Sequence, residues 1–286
     1  WIEALRLKTL PLALGAILLG SGLNTLSFYF NIFLFAALTA IFLQILSNLA
    51  NDYGDFKKGA DSHRTDRQLA EGKITPQAMM GAIILFACLS LASGVYLLTL
   101  AFGDNWGLWL KFFGLGVLSI IAAISYTVGK KAYGYFGLGD VFVFIFFGLI
   151  GVLGTAFLYN QSIDLFHWLT AVAYGCLCVG VLNVNNIRDF DKDVMANKIT
   201  LASKLGKDGA FNYQVFLLVI AFLGFVSHHF VQSYLSLAPV AVLVVAYFHL
   251  TRLKNAGTSG AYNRQLKFLS LSSLGVVILF LLRFYY

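Results

Sequence analysis

Asn48-Leu-Ala-Asn-Asp-Tyr-Gly-Asp-Phe-Lys-Lys-Gly-Ala-Asp61 is the stretch where a long apolar run ends and three carboxylates follow within ten residues. The run before it, 31–51, carries no charge at all. If one helix continues through both parts, Asn48, Asp52 and Asp55 stand at i, i+4 and i+7 and share a face. A polar face at the mouth of an apolar helix asks for a partner elsewhere in the chain.

The composition around it is far too apolar for a soluble domain: of 286 residues 59% are hydrophobic and 12% charged, with a mean hydropathy of +0.79. An integral membrane protein is expected. Runs approaching the roughly 20 residues that cross a hydrocarbon core lie at 11–28, 31–51, 79–101, 107–127, 140–159, 167–186, 212–230, 234–251 and 267–284. Lipid offers the backbone no hydrogen-bond partner, so such runs are read as helices, and the alternating pattern of a membrane barrel is absent. The expected fold is all-α, a polytopic protein of nine transmembrane helices, with residues 1–286 forming a single transmembrane domain.

The basic residues set the orientation. Eighteen of the 20 fall on one side of that arrangement, and only Lys111 and Arg283 fall on the other. Cytoplasmic loops carry the excess of Lys and Arg, which places the N-terminus and the long loops 52–78 and 187–211 in the cytoplasm. The net charge of +7 records this bias; with no soluble basic module to hold phosphates, nucleic acid is excluded as a partner. Cys88, Cys176 and Cys178 sit inside apolar runs and read as packing residues. The chain begins at Trp1, so residues before it are expected, and no cleavable signal is evident; the first span would direct insertion.

The two long inner loops hold nine of the 13 acidic residues, and each begins in the same way. Asn48-Leu-Ala-Asn-Asp52 matches Asn185-Asn-Ile-Arg-Asp189 as Asn-x-x-x-Asp, 137 residues apart, a weak internal repeat of the kind that builds a site between two halves. Asn185, Asp189 and Asp193 stand at i, i+4 and i+8 of a helix continuing past 186, and again share a face. Gln44, one turn before Asn48, extends the first polar stripe toward the bilayer interior.

Four carboxylates brought together repel one another unless a cation intervenes. An all-oxygen set of Asp and Asn, without His or Cys, suits a hard ion, and Mg²⁺ fits best because it shares its coordination with substrate phosphates. Asp52, Asp55, Asp189 and Asp193 are the candidate metal ligands, and Arg67, Lys130, Lys131 and Tyr126 lie on the same side to meet a diphosphate. Asp61, Asp66, Glu71, Asp104, Asp164, Asp191 and Asp208 read as solvated loop or helix-end residues. None of His63, His167, His228, His229 and His249 is a preferred catalytic residue.

Taken together, NDYGDFKKGAD (51–61) and NNIRDFDKD (185–193) resemble the two motifs of the UbiA superfamily of intramembrane aromatic prenyltransferases, and the likeness runs over nearly the whole chain. The segments LRLKTLPLALG (5–15), QILSNLANDYGD (44–55), SYTVGKKAYGYFGLGD (125–140) and VLNVNNIRD (181–189) resemble the branch that prenylates 1,4-dihydroxy-2-naphthoate in menaquinone biosynthesis. The resemblance implies nine helices around a central cavity capped by the two inner loops, with Mg²⁺ holding a polyprenyl diphosphate between the motifs. It implies Asn48, Asp52 and Asp55 as one half of the cage and Asn185, Asp189 and Asp193 as the other. Tyr126 with Lys130 or Lys131 would contact the diphosphate, Lys131 being preferred for its distance to Tyr133 and Asp140. Asp52, Asp189, Lys131 and Tyr126 carry the catalytic roles. Arg67 joins them as a diphosphate contact, although TDRQLAEG departs from the Arg-Pro-Leu run of relatives.

The implied reaction joins the prenyl group to the naphthoate with loss of its carboxyl, in the inner (plasma) membrane of a bacterium. Two alternatives stay open: another aromatic acceptor such as 4-hydroxybenzoate or homogentisate, and an ion-coupled transporter binding cations at intramembrane carboxylates. Against the transporter, the carboxylates lie at one membrane face beside Lys-bearing loops rather than at mid-membrane.

Overall fold

In the computed structural model, which describes residues 1–23, 29–59, 68–129, 132–231 and 234–285, the chain is almost wholly helical. The long helices are α1 (Leu10–Gly22), α2 (Phe30–Lys57), α3 (Pro76–Phe102), α4 (Trp106–Ser125) and α5 (Gly139–Asn160). They continue as α6 (Leu165–Arg188), α7 (Leu201–Val231), α8 (Ala238–Lys254) and α9 (Ser259–Leu281). Seven of them have the length and hydropathy to cross a membrane. The other two, α1 with 13 residues and α8 with 17, occupy the first and eighth of the expected spans and are shorter than those spans.

Helix starts follow the local sequence. Thr75 accepts from Ala78 N–H and is followed by Pro76, whose missing N–H is no loss at that position. Asn105 caps α4 and Thr258 caps α9 in the same manner. Asp164 and His167 form a reciprocal box at the start of α6, which gives both an end-capping role. The path of α7 breaks at Gly206, whose φ of 74° lies in the left-handed region that glycine tolerates. Within α5, Phe144–Gly154 winds as a π-helix.

Three apolar clusters hold the bundle. The largest joins α1, α5, α6, α7, α8 and α9 around Leu19, Tyr174, Phe225 and Phe280. A second packs α2, α3 and α4 around Leu46, Leu49 and Met79. A third ties α1 and α2 to α3 and Leu158 near the opposite ends of those helices. The outward faces carry exposed Ile84, Leu85, Leu118, Ile121, Phe216 and Val244, as a lipid-facing surface requires. Tyr234–Ser236 and Arg283–Tyr285 pair as a two-stranded antiparallel ribbon (β1 and β2).

A polar network also runs through the second half of the bundle. Asn183 on α6 donates to Gln214 Oε1 on α7 at 2.9 Å, and Gln214 lies 3.3 Å from His249 Nε2 on α8. His249 Nδ1 is 3.1 Å from Gln265 Oε1 on α9. His249 is therefore a structural linker between helices. Cys176 and Cys178 are buried in the large cluster and Cys88 is exposed, all three as free thiols.

Candidate active site

The helix carrying the first acidic motif does continue: α2 runs to Lys57, so Asn48, Asp52 and Asp55 lie on one helix. Gly54 lets this turn pack against the chain after α4. A Cβ there would stand 2.6 Å from the Thr127 carbonyl, and Thr127 Oγ1 donates to Ala50 O at 2.9 Å.

The second motif departs from the expected continuous helix. α6 ends at Arg188, Asp189 leaves helical geometry (φ −94°, ψ 7°), and a short helix follows at Phe190–Met195. Asp is a poor helix-interior residue and common at helix ends. The hydrogen bonds Asp189 N–H to Asn185 O (3.0 Å) and Asp193 N–H to Asp189 O (2.8 Å) nevertheless carry the four-residue rhythm across the joint.

Both motifs meet at the floor of one cavity of about 890 Å³. Asn48, Asp52, Asn185, Asp189 and Tyr126 all line it, joined by Arg6, Arg188 and Lys198. The rest of the lining is mainly apolar, with Leu43, Leu98, Phe112, Phe146, Phe147 and Leu158, interrupted by Thr39, Ser90, Ser119 and Thr155. Asp55 and Asp193 belong to the same acidic motifs but are not among the residues that line the cavity. Arg67, Lys130 and Lys131 lie outside the described residues.

Each carboxylate has its own partner. Arg6 donates to Asp52 Oδ1 at 2.5 Å and to Asn51 Oδ1 at 2.8 Å. Arg188 grips Asp189 with two bonds, 2.9 and 2.6 Å, and also reaches Asn185 Oδ1 (2.8 Å) and Asn263 Oδ1 on α9 (2.6 Å). Tyr135 donates to Asp55 Oδ1 at 2.7 Å, and Lys198 Nζ lies 4.0 Å from Asp193. Among the described residues no three of His, Cys, Asp and Glu stand together closely enough to hold a metal. The carboxylates are turned to these cationic and phenolic partners instead. Asn48 donates to Leu5 O and Gln44 to Thr9 O, so the first polar stripe anchors the N-terminal segment.

Lys198 is a cation that interacts with carboxylates of both motifs. Burial pulls its ammonium down, but the carboxylates of Asp55, Asp193 and Asp189 outweigh that effect and hold it above the usual lysine value. Tyr126 lines the same cavity. An aromatic row continues from it along the cavity: Tyr126 meets Tyr133 edge-on at 5.2 Å, Tyr133 stacks on Phe142 at 3.8 Å, and Phe142 stacks on Phe146 at 6.0 Å. The residues read as solvated behave so where described: Glu71 pairs with Lys73 and Asp191 with Lys207 at exposed positions.

A bundle with two Asn-x-x-x-Asp helix ends at one cavity floor can be compared with known proteins, and a profile of the UbiA prenyltransferase family matches residues 9–280. The chain belongs to that family. Its relatives include the 1,4-dihydroxy-2-naphthoate octaprenyltransferase of Haemophilus influenzae, 44% identical over 77% of this chain and 74% of that one. The protein of the same name from Escherichia coli is 42% identical over 85% of this chain and 82% of its own. Among solved structures, a UbiA homologue from Aeropyrum pernix superposes with a TM-score of 0.69 at 17% identity, covering 95% of each chain. One from Archaeoglobus fulgidus, solved with DMAPP and Mg²⁺, gives 0.67 at 14%, covering 97% of this chain and 98% of that one. At such identities these two structures establish the UbiA fold alone.

Sequence reasoning missed the site roles of Arg6, Arg188, Lys198, Tyr135 and Asn263. Arg188 stands inside the second UbiA motif and Arg6 inside the segment 5–15, so two of them had a signal. Lys198, Tyr135 and Asn263 come from loops and a helix whose approach to the motifs is a matter of tertiary folding.

Proposed function

We propose that this UbiA protein transfers a polyprenyl group from polyprenyl diphosphate to 1,4-dihydroxy-2-naphthoate, with loss of the carboxyl group, in menaquinone biosynthesis. The observation that carries this reading is one cavity that is lined by Asp52 and Asp189 and whose remaining lining is mainly apolar. A charged head group fits the floor and an isoprenoid tail fits the bore. The naphthoate acceptor is supported by the naming of the relatives at 42% and 44% identity.

The donor set suits Mg²⁺. Asp52, Asp55, Asp189 and Asp193, with Asn48 and Asn185, offer hard oxygen ligands only, and guanidinium groups, half-buried for Arg6 and buried for Arg188, already stand against Asp52 and Asp189, marking both as cation positions. When bound, Mg²⁺ would neutralise charge on the diphosphate as the allylic C–O bond breaks. Arg6, Arg188 and Lys198 add fixed positive charge at the same floor, and Lys130, Lys131 and Arg67 are assigned to the diphosphate with them. Tyr126 donates a hydrogen bond to the departing group. The electron pair of the C–O bond leaves with the diphosphate oxygen, and positive charge develops on the allylic carbon. The faces of Tyr126, Tyr133, Phe142 and Phe146 stabilise that charge and exclude water. A ring carbon of the naphthoate forms the new C–C bond, and CO₂ departs as the ring regains aromaticity. The chain works as one domain in a bacterial inner membrane, with the basic loops on the cytoplasmic side.

The test is direct. Purified protein is incubated with Mg²⁺, a polyprenyl diphosphate and a panel of aromatic acids, and products are identified by mass. Prenylated naphthoquinol with CO₂ release from dihydroxynaphthoate alone is the expected result; prenylation of 4-hydroxybenzoate or homogentisate in its place overturns the acceptor assignment.

A further inference from the structure

Arg6 and Arg188 take up, between them, the first aspartate of each acidic motif. Arg6 reaches across from the N-terminal segment to Asp52, whose side chain is 3% exposed. Arg188 forks onto both oxygens of Asp189, and this pair is buried on both sides at 6% and 7%. The repeat offset of 137 residues sets Asn51 where Arg188 stands in the second motif. The first motif therefore lacks a guanidinium of its own, and Arg6 supplies one from a different segment, bonding to Asn51 and Asp52 together. One arrangement has been built twice by two routes.

A buried ion pair is tolerated because each charge answers the other, and removing one partner leaves the other uncompensated. A divalent cation that arrives alone at Asp52 or Asp189 has to displace a guanidinium and strand it without a counter-charge. A cation that arrives on a diphosphate brings acceptors with it, and phosphate oxygens match the planar guanidinium fork as well as a carboxylate does.

We propose that Arg6 and Arg188 are exchange partners of the acidic motifs. In the free protein they neutralise Asp52 and Asp189, and when a divalent cation enters with a diphosphate they pass from carboxylate to phosphate oxygens. The cation and diphosphate then bind tightly as a pair, and the cation alone binds weakly. This rests on the reading of the cavity floor as a diphosphate site and is independent of which aromatic acid is the acceptor.

The experiment uses the full chain in detergent, as wild type, Arg6→Gln and Arg188→Gln. Binding of Mn²⁺ alone is read from the paramagnetic signal of the free ion, and binding of Mg²⁺-pyrophosphate by calorimetry at saturating Mg²⁺. The variants are expected to bind Mn²⁺ alone about tenfold more tightly than wild type and Mg²⁺-pyrophosphate about tenfold more weakly, each step near one decade of affinity. These opposite signs separate exchange from structural damage, which weakens both ligands. Arg6, at 22% side-chain exposure, is the variant better able to fold, and it carries the test alone if Arg188→Gln does not. Unchanged or weaker Mn²⁺ binding in Arg6→Gln overturns the proposal. Failure of the functional reading looks different: no aromatic acid is prenylated although the two affinities still move apart.

Discussion

Tyr135 donates its phenolic hydrogen to Asp55 Oδ1 at 2.7 Å, and this bond ties the loop after α4 to the acidic face of α2. Lys58 Nζ sits 3.8 Å from the centre of the same ring and Lys198 Nζ 5.5 Å from it. The Tyr135 carbonyl accepts from Ile199 N–H at 3.2 Å, which brings in the loop after α6. One tyrosine thus joins three segments around the acidic floor. Tyr135→Phe keeps the ring and loses only the hydrogen bond to a buried carboxylate, worth about 1.5–3 kcal/mol. The Mg²⁺ concentration for half-maximal prenyl transfer should rise by about tenfold or more, and the melting temperature in detergent should fall by the stability that bond contributes. Tyr135→Leu, which also removes the ring beneath Lys58, should raise the Mg²⁺ requirement as well and lower the melting temperature further.

Asp52→Ala and Asp189→Ala remove the two acidic-motif carboxylates that line the cavity. Each should reduce prenyl transfer by at least about a hundredfold in a protein that still inserts and folds, with a lower melting temperature for Asp189→Ala because Arg188 stays buried without its counter-charge. Rate measurements on purified variants, beside their melting curves, check this; near-normal turnover in either variant would sink the site.

Gly54→Ala addresses the packing beneath the motif. The new methyl would stand 2.6 Å from the Thr127 carbonyl carbon and oxygen, a backbone contact that cannot swing aside. A loss of about 1–3 kcal/mol of stability is expected from such overpacking. Thermal unfolding in detergent reads it, and an unchanged transition would show that this helix turn can shift.

Lys198 gives a pH prediction. Its ammonium is held above the usual lysine value, against burial, by the carboxylates around it. A raised folded-state value contributes stability that is complete below the unfolded value of about 10.4 and is lost only as pH climbs through the folded value. Lys198→Met should therefore lower the melting temperature by the same amount at about pH 7 and about pH 9. A deficit that vanishes at the higher pH would mean the lysine is already neutral there.

Gln214→Leu interrupts the buried chain from Asn183 to Gln265. It takes a partner from both Asn183 and His249, so a loss of about 1–3 kcal/mol is expected from unsatisfied buried groups. His249→Gln, which keeps hydrogen-bonding capacity, should be milder in the same unfolding assay.

The sequence by itself determined the class of fold and singled out the residues proposed for the site. Apolar runs in lipid have to close their backbone hydrogen bonds locally, so run length alone located the helices, and the bias of Lys and Arg supplies the orientation proposed for them. Helical periodicity put Asn48, Asp52 and Asp55 on one face, because three- and four-residue spacing is a local property of the chain. Only the tertiary structure decided what those side chains touch. Arg6 lies 46 residues from Asp52 and Tyr135 80 residues from Asp55, and no local rule couples positions so far apart. The same holds for the break at Asp189, where an expected continuous helix ends one residue after Arg188. Burial completes the difference. A carboxylate drawn into a low-dielectric floor takes whichever cation the fold brings near it, and that choice is made by the packing of α1, α2, α6 and α9 rather than by any stretch of sequence.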